Sequence, residues 1–501
     1  MAEFTRGFSF IHNFGISLSH ISIIAAVAAL YTFALGYGGP AGAVWGWIIV
    51  SLLSLCVGSA MAEICSAYPT AGGLYYWSSK LGGDLYGPTF AWFTGWFNLI
   101  GDVASCGSGA VVISQAIFTI VLVKNPDFEV TSWKLSLLAI GISFTWIGLN
   151  FHPTLIKRSL EASVIVHTVG LLLMLICIGG LTPNRQTAAF VFTELANVYS
   201  GQDSQGFSFL LSFLMPAWTF IGYDASAHVS EETQGAYKEA PRGIFLSVLT
   251  SAILGLVLVL VMTFSIVDFD TLLASPYPAP IMQMFLDSTQ QNEALACIMM
   301  AIVGAAAYFA CLSIVCANSR MIYAFSRDQA FGTVVSKALY YTSPTTKLPV
   351  HAICLSTFLA DLIIAIGFGS SVALQVAASI GTVGMMTAYA LPIFCRLTFA
   401  RKVFKKGEFH LGPLSEIIGW IAVIWSAFLF VLLCLPYTYP ITSLNFNYAS
   451  VLIGGYSVIV GTVWFFSAKS WFKGPVPYVS EDEIKEMEGV MADEAEKSTA
   501  L

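Results

Sequence analysis

Twelve stretches of this chain are each long and apolar enough to cross a lipid bilayer, and little sequence lies outside them. They fall near 13–37, 43–66, 88–123, 133–151, 160–182, 207–230, 243–267, 294–324, 350–368, 371–397, 415–435 and 448–468. About 20 apolar residues cover the roughly 30 Å of hydrocarbon in a bilayer. Inside lipid the backbone must satisfy its own hydrogen bonds, which leaves helices or closed barrels. Runs such as 253–266 and 451–466 are almost purely apolar, so an all-α membrane protein with 12 transmembrane helices is predicted. Only 10% of the 501 residues are charged, too few to cover a soluble core of this size. The first apolar segment is too long for a signal-peptide core and reads as the first span.

Twelve spans place both termini on one side of the membrane. With that count, nineteen of the 22 lysines and arginines fall on the side of the termini. The other side keeps Lys124, Lys134 and Arg185. By the positive-inside rule both termini are expected in the cytosol. The net charge of −7 comes largely from the tail 474–501, expected to be acidic, cytosolic and disordered. No basic stripe suggests nucleic acid. Ten cysteines lie in or beside apolar segments without a CxxC pair, so neither a disulfide framework, a metal nor a cofactor is called for.

Two spans carry signs of interruption. The first contains Gly15, Ser17, Ser19, His20 and Ser22 within eight residues. Serine hydroxyls bond local backbone and favour irregular turns. The sixth contains Pro216 and then Phe220-Ile221-Gly222-Tyr223-Asp224. Paired interruptions five spans apart are the pattern of an inverted repeat with a solute site at the bilayer midplane. The start of a half-helix attracts a carboxylate, and freed carbonyls attract an ammonium. An α-amino acid carries both.

Several long motifs then coincide with one family. They are MAEICSAYPTAGGLYYWSSKL at 61–81, FTGWFNLIG at 93–101, GYDASAHVSEET at 222–233, PRGI at 241–244 and NSRMIYAFSRD at 318–328, with GWIAVIW, LPYTYPIT and WFKGP beyond. From Phe8 to about Trp471 the chain resembles an amino acid permease of the amino acid–polyamine–organocation superfamily. It is most similar to the amino acid/choline transporter branch, which holds fungal GABA permeases and plant bidirectional amino acid transporters. The resemblance implies one polytopic domain over 1–473 with a LeuT-type 5+5 inverted repeat. Repeat one would cover about 8–182, repeat two about 207–399, and spans 11 and 12 about 415–468. It implies secondary-active, alternating-access transport of an amino acid or GABA, proton-coupled or exchanging, with the plasma membrane ahead of a vacuolar or other internal membrane. A choline or polyamine carrier and a non-transporting nutrient sensor of the same fold are the alternatives.

Carried over, the substrate site comprises Ser17, Ser19, His20, Ile21 and Ser22, facing Phe220, Gly222, Tyr223 and Asp224. Phe220 matches the aromatic that closes over the substrate, and Trp218 is its rival. Asp102 in span 3 stands where the family carries a neutral residue. A charge at mid-bilayer costs about 2.5–3.5 kcal/mol on insertion scales, so Asp102 is expected either to meet a substrate ammonium, to relay a proton, or to bond a neighbouring helix. His167 in span 5 and Ser313 in span 8 are candidate coupling residues. Glu63, Lys80, Glu231, Glu232, Arg242, Arg320, Arg327 and Asp328 are candidates for an inner gate of salt bridges. Two rival classes receive no support: no HExxH, GxSxG or GxGD motif suggests a membrane enzyme, and no repeated pore loop suggests a channel.

Overall fold

The computed structural model describes residues 8–366, 373–443 and 445–475. The acidic tail expected at 474–501 lies almost wholly outside them. Every long element is a helix. The order is α1 (Phe10–Ile21), α2 (Ile23–Ala67), α3 (Gly73–Lys124), α4 (Ser132–Asn150), α5 (Pro153–Leu181), α6 (Ala188–Thr193), α7 (Gln205–Leu211), α8 (Leu214–Thr219), α9 (Ala225–His228), α10 (Ala236–Phe264), α11 (Phe269–Leu273), α12 (Ile281–Ser288), α13 (Glu293–Arg327), α14 (Thr333–Leu339), α15 (Val350–Ile366), α16 (Ala373–Thr398), α17 (Ser415–Cys434) and α18 (Ala449–Val463).

Nine helical stretches among the described residues are long and apolar enough to cross a membrane, against twelve expected. The difference has local causes. Residues 10–67 form one 58-residue stretch, although Gly39 breaks it with φ 68° just before Pro40. At 1.5 Å per residue an unbroken helix of that length would measure roughly 87 Å, far more than one bilayer. The sixth expected span is divided into short helices around Phe220–Gly222. The ninth, α15, is described only to Ile366 and falls under the length required. The loop before the third span is also helical: α3 starts at Gly73 and kinks at Gly83, φ 65°. Helix α12 buries Ile281, Met282, Met284, Phe285 and Leu286.

The helices sort by which faces they bury. Helix α3 packs most extensively on α16 and α13, and α2 on α10. Close approach of α3 and α16 needs glycine. A Cβ on Gly384 would lie 2.8 Å from the Gly101 Cα, so backbone meets backbone there. Helices α4, α5, α17 and α18 lie outside this centre, with Phe144, Ile165, Ile176, Ile424 and Val458 exposed. Large exposed apolar residues on helices this apolar face lipid rather than water.

Candidate functional site

The first break lies at Ser22, which adopts left-handed backbone geometry at φ 40° and ψ 66°. This ends α1 and starts α2 in a new direction. Non-glycine residues enter that region at a cost, so neighbours must hold it there. Ser22 N–H bonds the Leu18 carbonyl at 3.0 Å, and Ser22 Oγ lies 2.9 Å from His167 Nε2 on α5. His167 Nδ1 faces the Ser163 carbonyl at 2.8 Å. A carbonyl only accepts, so Nδ1 carries a proton and donates to Ser163, while Nε2 makes the second bond to the Ser22 hydroxyl. The expected coupling residue His167 therefore holds the break in shape.

A helix leaves its first N–H groups without partners in its own ladder. In α2 these belong to Ile23, Ile24 and Ala25, because Ala26 N–H already reaches the Ser22 carbonyl at 3.0 Å.

The second break follows α8. Phe220 N–H bonds the Pro216 carbonyl at 2.9 Å, Ile221 is non-helical, and Gly222 turns the chain at φ 80°. Tyr389 on α16 fixes the turn from both sides. Its Oη accepts from Gly222 N–H at 2.8 Å and donates to Asp224 Oδ1 at 2.6 Å. Asp224 Oδ2 also lies 3.1 Å from His228 Nε2 and 3.3 Å from Asn98 Nδ2. Asp224 is thus fully engaged in holding the break, with α9, α3 and α16 as its anchors. Replacing Tyr389 with phenylalanine keeps the ring but leaves a buried N–H and a carboxylate oxygen short of partners. The expected loss is about 1–3 kcal/mol of stability, read by unfolding in detergent. Unaltered stability would contradict these two bonds.

The two breaks face each other. Ser17 Oγ donates to the Tyr223 carbonyl at 2.8 Å and lies 2.7 Å from Ser226 Oγ, which donates to the Asn13 carbonyl. Ser19 bonds Ser163 on α5. These serines clamp α1 in place. Between the breaks lies a cavity of about 30 Å3, lined by His20, Ile21, Ser22 and Ala25 on one side and by Trp218 and Ile221 on the other. Ser105 and Gly109 of α3 and Cys311 and Ile314 of α13 complete its wall. Of the two aromatic candidates, Trp218 lines the cavity. Phe220 packs instead on Trp47, with ring centroids 5.1 Å apart.

Just beneath, Asp102 Oδ1 stands 3.8 Å from His20 Nε2, both residues almost fully buried. Neither oxygen of Asp102, neither ring nitrogen of His20, nor Tyr223 Oη has a hydrogen-bond partner among the described residues. Unpaired buried polar atoms are costly, and their clustering marks a place built for something other than packing. A second cavity of about 290 Å3 lies farther along α2, between Phe33, Tyr37, Gln115, Gln375, Tyr437 and Asn447.

The inner-gate candidates divide. Arg320 on α13 pairs with Glu232 at 2.9 Å and donates to the Cys316 carbonyl at 3.2 Å. Glu231 accepts from Ala71 N–H at 3.2 Å, and Tyr75 Oη donates to Asp328 at 2.7 Å, with Arg327 3.6 Å from Asp328. These contacts join the segment before α3, the segment after α9 and the end of α13. The other three lie elsewhere. Glu63 pairs with Arg396 at 3.0 Å and bonds Ser415, tying α2 to α16 and α17. Arg242 pairs with Glu239 on its own helix, where short-range i,i+3 spacing wins over a longer reach. Lys80 is exposed. Ser313 donates to the Phe309 carbonyl one turn back and does not line the cavity.

Sequence reasoning missed Asn98, His228, Tyr389 and Ser226. Two had a detectable signal: Asn98 and His228 lie four residues from Asp102 and Asp224, on the same helical faces. Tyr389, 165 residues from its partner, had none.

Apolar helices in this number, two of them interrupted beside a buried polar cavity, define an integral multi-pass membrane protein of the carrier kind. The chain belongs to the amino acid permease family, whose model matches residues 8–456. It is 35% identical over 487 residues to the amino-acid permease BAT1 of Arabidopsis thaliana, covering 95% of this chain and 94% of that protein. The BAT1 homologue of Oryza sativa is 36% identical over 95% of this chain and 93% of its own length. The GABA-specific permease of Saccharomyces cerevisiae is 30% identical over 97% and 86%. The protein is a permease for amino acids and not an enzyme.

Proposed function

We propose that the protein moves amino acids, GABA among them, by secondary-active alternating access about the cavity between the two breaks. The substrate carboxylate sits against the free N–H groups of Ile23, Ile24 and Ala25, where the α2 dipole favours negative charge. The amine meets carbonyls at the end of α8, and Trp218 covers the substrate. The observation that carries this reading is the pairing of the Ser22 and Gly222 breaks on opposite walls of one cavity.

The cavity of about 30 Å3 holds roughly one water, so this is a closed state and the site must widen to admit cargo. In the proposed architecture twelve spans form a LeuT-type 5+5 repeat plus two, with both termini cytosolic and the plasma membrane as location. The larger cavity then serves as an outer vestibule, and the Arg320–Glu232 pair closes the inner side.

Reconstitution tests this. Purified protein in liposomes is offered labelled GABA, neutral, basic and acidic amino acids, and choline. The proposal expects saturable uptake of at least one amino acid, accelerated by unlabelled amino acid inside. Choline as the one saturable cargo, or binding without flux, would overturn it.

A further inference from the structure

Two buried acids lie near the breaks, and they are treated differently by their surroundings. Asp224 accepts from Tyr389, faces His228 and receives Asn98. Asp102 has no hydrogen-bond partner at either oxygen, and its one ionisable neighbour at ion-pair distance is His20, 3.8 Å away. No lysine or arginine pairs with it among the described residues. His20 in turn belongs to the cavity wall. Its ring rests on the α-carbon of Gly222: a Cβ there would stand 2.0 Å from His20 Cδ2. The second break therefore sets where His20 points.

We infer that the His20–Asp102 pair is the proton-binding site that couples transport to a proton gradient. The inference rests on the transport reading above and adds the coupling ion and its location. The physical reason is charge balance. With one proton shared between imidazole and carboxylate, the pair is neutral overall, either as two neutral groups or as an ion pair. Without that proton it carries one negative charge. A dry, closed cavity tolerates the neutral pair and strongly disfavours the lone charge. A cavity open to water on either side tolerates both. The closed state that carries substrate across is thereby accessible chiefly with the proton aboard. A zwitterion brings no net charge and cannot replace that proton.

The separation of 3.8 Å is within ion-pair range and beyond a hydrogen bond, so a small shift of α1 against α3 makes or breaks the proton's path. Other titratable groups surround the pair without taking over this role. Tyr389 and His228 are committed to Asp224. His167 is committed to Ser22 and Ser163. Tyr223 packs on Tyr389 with ring centroids 4.8 Å apart and the rings tilted by 35°. Cys106, one turn beyond Asp102, faces Cys311.

The test counts protons per substrate molecule during net uptake of a labelled amino acid into proteoliposomes that hold a pH-sensitive dye and no amino acid. The wild type is expected to acidify the lumen with about one proton per substrate. Asp102→Asn is expected to lower that ratio at least tenfold and to abolish accumulation driven by a pH gradient. The ratio is read from whatever net uptake the variant retains, so a slower rate does not obscure it. If Asp102→Asn is not recovered folded, His20→Gln supplies the same ratio. A wild type that takes up amino acid without moving protons, or variants that keep the wild-type ratio, would overturn the assignment while leaving transport intact. A wild type that takes up nothing would fell the transport reading, and this inference with it.

Discussion

Gly222→Leu is expected to abolish amino acid uptake while the protein still reaches the membrane. Two independent effects converge on this residue. Its φ of 80° lies where side chains are strained, at roughly 1–2 kcal/mol for a non-glycine residue. A Cβ would also fall 2.0 Å from the His20 ring and so displace a wall of the cavity. Displacement on the order of 1 Å at a pre-organised site costs about 100-fold in rate. Gly222→Ala should show the same defect in milder form, because it shares the first Cβ atom. Uptake per molecule at the surface, with surface protein measured separately, checks both. Uptake by Gly222→Leu within twofold of wild type would contradict a functional break there.

The second large effect is expected at the Arg320–Glu232 pair. Arg320 is 1% exposed and its charge is met by Glu232 at 2.9 Å. Removing one partner of a buried pair leaves an uncompensated charge, at a cost of about 3–5 kcal/mol. Glu232→Gln and Arg320→Met should each show this loss in detergent unfolding. The double variant should recover more than half of it, since no lone charge then remains. Additive losses in the double variant would mean that the two residues act separately. If the pair also latches the inner side, either single variant should bind cytosolic substrate more readily than external substrate.

How far the sequence anticipates this molecule depends on the kind of interaction. Hydropathy locates the helices well, because lipid imposes one requirement along the whole segment. It does not locate breaks within them. The stretch from Ile23 to Ala67 joins two expected spans with only the kink at Gly39 between them, where the sequence also puts the boundary, and the division at Phe220–Gly222 removes another from the count. The breaks themselves are readable, since serine clusters and Pro-x-x-x-x-x-Gly spacing are local features. What each side chain does at a break is far less so. Ser17 and Ser19 look like site residues by position, yet their hydroxyls hold helices together. Phe220 and Trp218 differ by two positions, and helix geometry sends one to Trp47 and the other to the cavity. The gate charges separate for a similar reason. Glu232 and Arg320 meet across 88 residues, which only tertiary packing can arrange, whereas Arg242 finds Glu239 one turn away.

The account depends on a zwitterion held by main-chain groups between the Ser22 and Gly222 breaks. Electron cryomicroscopy of the protein with a transported amino acid tests this most directly. The account predicts ligand density between Ile23–Ala25 and Trp218–Ile221, with the carboxylate against the start of α2 and both breaks preserved. Density confined to the larger cavity around Tyr37 and Tyr437, or continuous helix through Ser22 and Gly222, would contradict it.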